Sequence, residues 1–215
     1  MTNIQREVWR VIDNDASVKK NLLEKLINIS ALARKIAKEH SLDSNIDAVI
    51  SAIRRYEGNV EKKQHLRKIY SLLKEAKLST RTKLASVLFK KNMGIRKKLA
   101  ELYSKIDFEG GDTLRIFEVT KYIKIIIDDK TVKLVKDIFE TKEIVNVATK
   151  LGELSIDYNL DITKTPGIFA TLSNELASNG ISIVDSMICY SEHIIIVDEE
   201  DLEKTFNVIF MLIRK

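Results

Sequence analysis

The chain has 215 residues, 45% of them apolar and 31% charged, with a formal net charge of +5. This is ordinary globular composition, with enough residues for one or two domains with real cores, and it excludes a disordered chain. No apolar run approaches the roughly 18 residues of a membrane span, and the start MTNIQREVWR holds no apolar signal core, so a cytoplasmic protein without a membrane partner is expected.

Residues 1–77 read as an all-helical, basic domain. Ile4, Val8, Val11 and Ile12 share one helical face. After the break at Asn14-Asp15, Ser17 is a candidate cap for a second helix carrying Leu22, Leu23, Leu26 and Ile27. Asn28 or Ser30 opens a third helix, SALARKIAKEH, with Leu32, Ala33, Ile36 and Ala37 inward. The polar break SLDSN precedes a helix expected from Asn45 to Tyr56. Gly58-Asn59 is a turn signal, and a longer basic helix follows over residues 60–77.

The period then changes. KLSTRTKLASVLFK (77–90) reads as a strand, 95–105 as a helix, 113–120 and 122–128 as a hairpin, 131–139 as a helix and 143–150 as a strand. The pattern repeats with a strand at 153–163, a helix at 167–179, strands at 181–190 and 193–197, and a helix from Asp201. VIFMLI, near the end, fits either a buried helix end or a short strand. The expected fold class is α+β: the helical domain 1–77, then two βαββαβ, ferredoxin-like units at 78–150 and 151–215. An antiparallel sheet with helices on one face must cover its other face or its edge, so pairing between units or chains is expected, with a homodimer as the outcome.

Charge divides the chain. Residues 1–105 hold 24 Lys and Arg against 11 Asp and Glu, whereas 106–215 hold 12 against 20. A basic half can meet phosphates or an acidic protein, or the two halves can attract each other. The one cysteine, Cys189, excludes an intrachain disulfide framework and reads as a buried small hydrophobe.

Residues 153–200, including TPGIFATLSNELASNGISIVDSMICYSEHIIIVDEED, resemble an ACT domain, in particular the regulatory ACT domains of aspartokinases. The features that carry the likeness are the PGIF turn into a helix, NGISI leading into a strand, and a Tyr-Ser-Glu turn before an apolar strand. Residues 78–150 look like a second, degenerate copy that lacks the Pro-Gly turn. No kinase catalytic domain precedes the two units, so the likeness does not carry aspartokinase activity. It implies an ACT-type fold binding an amino acid or similar small anionic ligand where domains pair. The residues read as the site are Thr165, Gly167, Ile168, Phe169, Asp185, Ser191 and Glu192. The physical reading agrees. Pro166 and Gly167 precede a helix whose first amides form a carboxylate site, and Asp185, Ser191 and Glu192 are available for an ammonium group.

The helices either side of SLDSN resemble a helix-turn-helix, as found on archaeal regulators. On that reading the second helix enters a major groove. Asn45, Ser51, Arg54 and Arg55 then face DNA, and Lys35, Lys38 and Lys62 meet phosphates. Asp47 opposes phosphate there, and a generic bundle with a solvated basic face is the competing reading.

Catalytic signals are poor. His40, His65 and His193 lack ligand spacing, and neither a GxxxxGK nor a GxGxxG loop occurs. The expectation is a regulator, not an enzyme, with no cofactor or metal. It is either a DNA-binding transcription regulator responsive to an amino acid, or a regulatory subunit that docks an enzyme or other protein.

Overall fold

A computed structural model describes residues 3–56 and 68–214, without the side chains of Ala16 and Lys20. The chain divides into two compact units, Met1–Leu66 and Arg67–Lys215.

In the first unit, α1 (Asn3–Asn14), α2 (Ala16–Leu23), α3 (Ile29–Glu39) and α4 (Ile46–Arg54) follow the expected apolar stripes, except that α2 ends at Leu23 and Leu26, expected on its apolar side, is exposed. Val8, Ile12, Leu32, Ala33, Ile36, Val49, Ala52 and Ile53 meet in one core. Asp15, not Ser17, starts α2: its carboxylate accepts the amides of Ser17 at 3.0 Å and Val18 at 2.9 Å. Asn28 caps α3 by accepting from Ala31 N–H. The core is closed by polar contacts: Trp9 Nε1 donates to Ala52 O at 2.9 Å, and Tyr56 donates to Asp13, which also pairs with Lys19. Lys19 is 7% exposed, so this pair offsets the burial of its ammonium. Gly58, Lys62 and His65 lie outside the described residues.

In the second unit, residues 68–74 are helical (α5). Then come β1 (Lys77–Lys90), α6 (Met93–Ser104), β2 (Leu114–Glu118), β3 (Tyr122–Asp128), α7 (Val132–Ile138), β4 (Ile144–Asp157), α8 (Ile168–Ser178), β5 (Asp185–Cys189), β6 (Glu192–Asp198) and α9 (Leu202–Ile213). The fold is α+β, as expected. The segments read as separate strands at 143–150 and 153–163 join in one 14-residue strand, β4, which ends at Asp157 and leaves 158–163 as loop. VIFMLI is the end of α9.

All pairings are antiparallel, in one sheet of order β2-β3-β1-β4-β6-β5. The long strands β1 and β4 run beside each other from Lys77↔Asp157 to Phe89↔Ile144. β3 pairs only with residues 84–90 of β1, and β6 only with residues 151–157 of β4. Strand–helix–strand–strand–helix therefore occurs twice, and each long strand serves both repeats. The second repeat needs no C-terminal strand because residues 77–81 of β1 flank its β4. The passage between repeats is marked by Lys83 and Lys150, both at φ +56°. Lys83 N–H donates to Glu199, before α9, and Lys150 N–H to Asp129, before α7.

The sheet curls on itself. Lys124 on β3 reaches Asp185 on β5 at 2.8 Å, although β1, β4 and β6 lie between them. On a flat sheet those strands would stand about 19 Å apart. Arg115 on β2 likewise grips Glu153 on β4. The helix-free faces of the two repeats thus cover each other over Leu84, Ile126, Leu151, Ile194 and Ile196, all nearly inaccessible. Outside this layer, α6 and α7 cover Ala85, Val87, Phe89, Ile123, Ile125 and Ile127. On the other side α8, α9 and α5 cover Leu154, Ile156, Ile195 and Val197. Alternation along each strand sends one set of apolar residues inward and the other to the helices. The face expected to be covered by a pairing is covered within the chain.

Candidate ligand site

The loop between β4 and α8 is held against the β5–β6 turn. Tyr158 N–H donates to Ser191 O at 2.8 Å, Ile162 N–H to Tyr190 O at 3.0 Å, and Thr165 N–H to Ile162 O at 2.9 Å. This tether buries Thr165 and Ile168 and delivers Gly167 at φ +87°, a left-handed conformation that disfavours a side chain. Gly167 is the N-cap of α8, and no side chain caps that helix. Its first-turn amides are the orphan donors that attract an anion. α6, the corresponding helix of the first repeat, is closed differently: Asn92 Oδ1 accepts Ile95 N–H at 3.0 Å.

Phe169 is 48% exposed on one side, and its ring lies 5.7 Å from that of His193. His193 is fully buried, in phase with Ile195 and Val197 on the face that α8 covers. Its Nε2 meets Ser186 Oγ at 2.8 Å. His193 Nδ1 and the Tyr158 and Ser173 hydroxyls are buried with no hydrogen-bond partner among the described residues. Burial lowers the His193 pKa to about 4, so the ring is neutral, and burial pushes the Tyr158 phenol well up. Tyr158 and His193 lie on the face of the sheet that α8 covers, and Ser173 is on α8 itself. The sequence singled out His193 only as a histidine without ligand spacing and did not mark Tyr158 at all.

The carboxylates expected to take an ammonium group face the other way. Asp185 shares the face of Met187, against the first repeat, where Lys124 holds it through contacts of 3.0 and 2.8 Å. Glu192 shares the face of Ile194, and its Oε1 accepts from Ser155 Oγ at 3.2 Å. Ser155 also meets Glu153 at 3.4 Å, which links Glu192 to the Arg115–Glu153 pair. Ser191 lies at the tethered turn beside Tyr158. The structure therefore brings Thr165, Gly167, Ile168, Phe169 and Ser191 to one end of the second repeat and commits Asp185 and Glu192 to partners on the inner face.

Cys189 is exposed, not buried, because it ends the edge strand β5. Among the described residues no group of three His, Cys, Asp or Glu can hold a metal, and no helix is long and apolar enough to cross a membrane. An open cleft of about 440 Å³ beside the strand crossing is lined by Thr149, Lys150, Asp198, Glu199 and Glu200, none of them a residue expected at the site.

In the first unit, Lys35 and Lys38 are exposed on α3, and Lys35 approaches Glu39 at 4.0 Å. Asn45 precedes α4 without capping it, Ser51 is half-buried, and Arg54 and Arg55 are exposed at its end.

Residues 151–209 match the family described as the ACT domain. The fold is similar to the regulatory subunit of aspartate kinase from Thermus thermophilus (15% identity, 63% of this chain and 95% of that one, TM-score 0.51). It is similar to the corresponding subunit from Thermus flavus (14%, 63% and 95%, TM-score 0.51). It is also similar to Clostridium acetobutylicum aspartate kinase (15%, 63% and 34%, TM-score 0.53), of which it spans about a third. No curated protein sequence matches significantly. Residues 151–209 thus match the ACT-domain model, and the fold of the second unit is similar to that of these aspartate kinase structures.

Proposed function

We propose that this is a regulatory protein whose two repeats are ACT-type modules and whose second module senses a small carboxylate-bearing metabolite, an amino acid, at the start of α8. The observation that carries this reading is the uncapped N-terminus of α8, with Phe169 beside the buried His193, within the segment that matches the ACT domain. The amides after Gly167 bind the carboxylate, and Phe169 covers the ligand's side chain. An ammonium group meets Thr165, Ser191 and the loop carbonyls. The similarity to the Clostridium enzyme, described as allosteric, supports a regulatory role.

The test is the melting temperature against the twenty standard amino acids, in the wild type and in Ala170→Glu. Ala170 is exposed in the first turn of α8, where a glutamate suits the helix but repels an anion. A shift with one or a few amino acids, lost in Ala170→Glu, supports the reading; no shift with any of them defeats it.

The finer reading of the output is that α3 and α4 carry the signal to DNA, through Lys35, Lys38, Asn45, Arg54 and Arg55. Its support is the exposure of these residues on consecutive helices. It requires mobility-shift affinity that falls steeply with salt and drops when Arg54 and Arg55 become alanine. One observation favours a protein partner instead: residues 1–66 carry 12 Lys and Arg against 9 Asp and Glu, a near balance for a DNA reader.

A further inference from the structure

The basic surplus of the chain is concentrated in residues 67–105, with 12 Lys and Arg against 2 Asp and Glu. Part of it converges on two adjoining turns of the first repeat, a surface that includes none of the proposed ligand-site residues. Lys91 N–H donates to Lys121 O at 3.0 Å, and its ammonium reaches Val119 O at 3.3 Å, which joins the β1–α6 turn to the β2–β3 turn. Glu118 is taken by both Lys91 and Arg96. Lys90, Lys97 and Lys121 are exposed, and none makes an ion pair among the described residues. Three apolar side chains stand among them: Met93 (64% exposed), Val119 (59%) and Tyr122 (39%). These residues flank the two joined turns: Arg96 donates to Met93 Sδ and Lys97 lies one helical turn beyond Met93 on the helix side, while Tyr122 is the cross-strand partner of Lys90 on the other side of the strand ends.

We propose that this surface docks an acidic protein segment bearing apolar anchor residues. Three unpaired ammonium groups give electrostatic complementarity to carboxylates, and the apolar trio gives area that a partner side chain desolvates. Nucleic acid would meet the lysines through phosphates but leave Met93 and Val119 without a counterpart. A second copy docking through the same face would set lysine against lysine. The second repeat does not duplicate the feature: residues 151–215 hold 4 Lys and Arg against 11 Asp and Glu.

The test is fluorescence anisotropy of the full chain with a labelled peptide of alternating glutamate and leucine. An all-glutamate peptide, a DNA duplex and phosphatidylserine vesicles serve as comparisons. The alternating peptide binds, and binding weakens about tenfold between 50 and 300 mM salt. Lys90→Glu, Lys97→Glu and Lys121→Glu together weaken it at least about tenfold. Met93→Ser with Val119→Ser weakens it about fivefold but leaves the all-glutamate peptide unaffected. Circular dichroism checks folding. Should the triple variant not fold, Lys97→Glu alone, on the exposed side of α6, weakens binding about threefold. Absence of peptide binding, binding indifferent to these substitutions, or tighter binding of DNA or vesicles through the same lysines overturns the proposal.

Discussion

Arg115 on β2 holds Glu153 on β4 across the curled sheet, donating from Nε at 2.6 Å and from its terminal nitrogen at 2.7 Å. The Glu153 side chain is 4% exposed and that of Arg115 25%. The Arg115 pKa is raised, first by this hydrogen bond. In this pair, as in Lys124–Asp185, the cation comes from residues 77–150, with 17 Lys and Arg against 10 Asp and Glu. The anion comes from residues 151–215, where the balance is 4 against 11. Part of the charge division along the chain is thus used inside it, where two complementary pairs join the faces of the repeats.

Arg115→Met leaves the Glu153 carboxylate buried and unpaired, and should cost about 3–5 kcal/mol of stability. Arg115→Met with Glu153→Met removes both charges and should recover most of that loss. Urea unfolding of both variants checks this, and equal destabilisation in the two would show that the charges themselves do not matter there.

His193 makes stability depend on acidity. Its folded pKa of about 4 lies below the ordinary 6.5, so between these values the unfolded chain binds the proton more readily. Its contribution is complete above pH 6.5 and is lost as pH falls towards 4, with a full effect of about 3 kcal/mol. His193→Phe should flatten this window relative to the wild type in urea unfolding at pH 7 and pH 4.5. An unchanged slope would place the titration elsewhere.

Gly152 has no room for a side chain, since a Cβ there would come 2.9 Å from Leu202 Cδ2 and 3.0 Å from its Cβ. Gly152→Val should force α9 away from β4 and cost about 1–3 kcal/mol, read as a lowered urea midpoint.

Gly167→Ala should cost about 1–2 kcal/mol because φ +87° is left-handed, again read as a lowered urea midpoint. Gly167→Pro cannot adopt this φ and would disrupt the loop as a whole. Ala170→Glu is the cleaner probe of the anion site.

The strand and helix order of the second unit was legible because its apolar patterns are strong. β3 and β6 carry short continuous apolar runs, 125–127 and 194–197, bounded by polar residues, and Ile168, Leu172 and Leu176 make a helical stripe. The continuity of β4 was not legible, since Lys150 and Gly152 interrupt the alternation at the place where the strand changes repeats. The sharing of β1 between repeats was hidden for the same reason: residues 77–83 are almost wholly exposed and give no facial signal. The turn at Pro166-Gly167 pointed to the α8 end of the candidate site. The roles of Asp185 and Glu192 were not visible, because strand parity sets their faces, and their partners Lys124 and Ser155 lie 61 and 37 residues away. The self-capping of α6 by Asn92 had a local signal, an asparagine three residues before Ile95, which reads equally as a turn.

The most direct measurement is amide NMR of the full chain titrated with the amino acid that gives the largest thermal shift, or with acetate if none does. The account predicts that the amides of Ile168, Phe169 and Ala170 move with ligand while that of Ile95, already bonded to Asn92, stays still. Motionless α8 amides, or an equal response at Ile95, would contradict it.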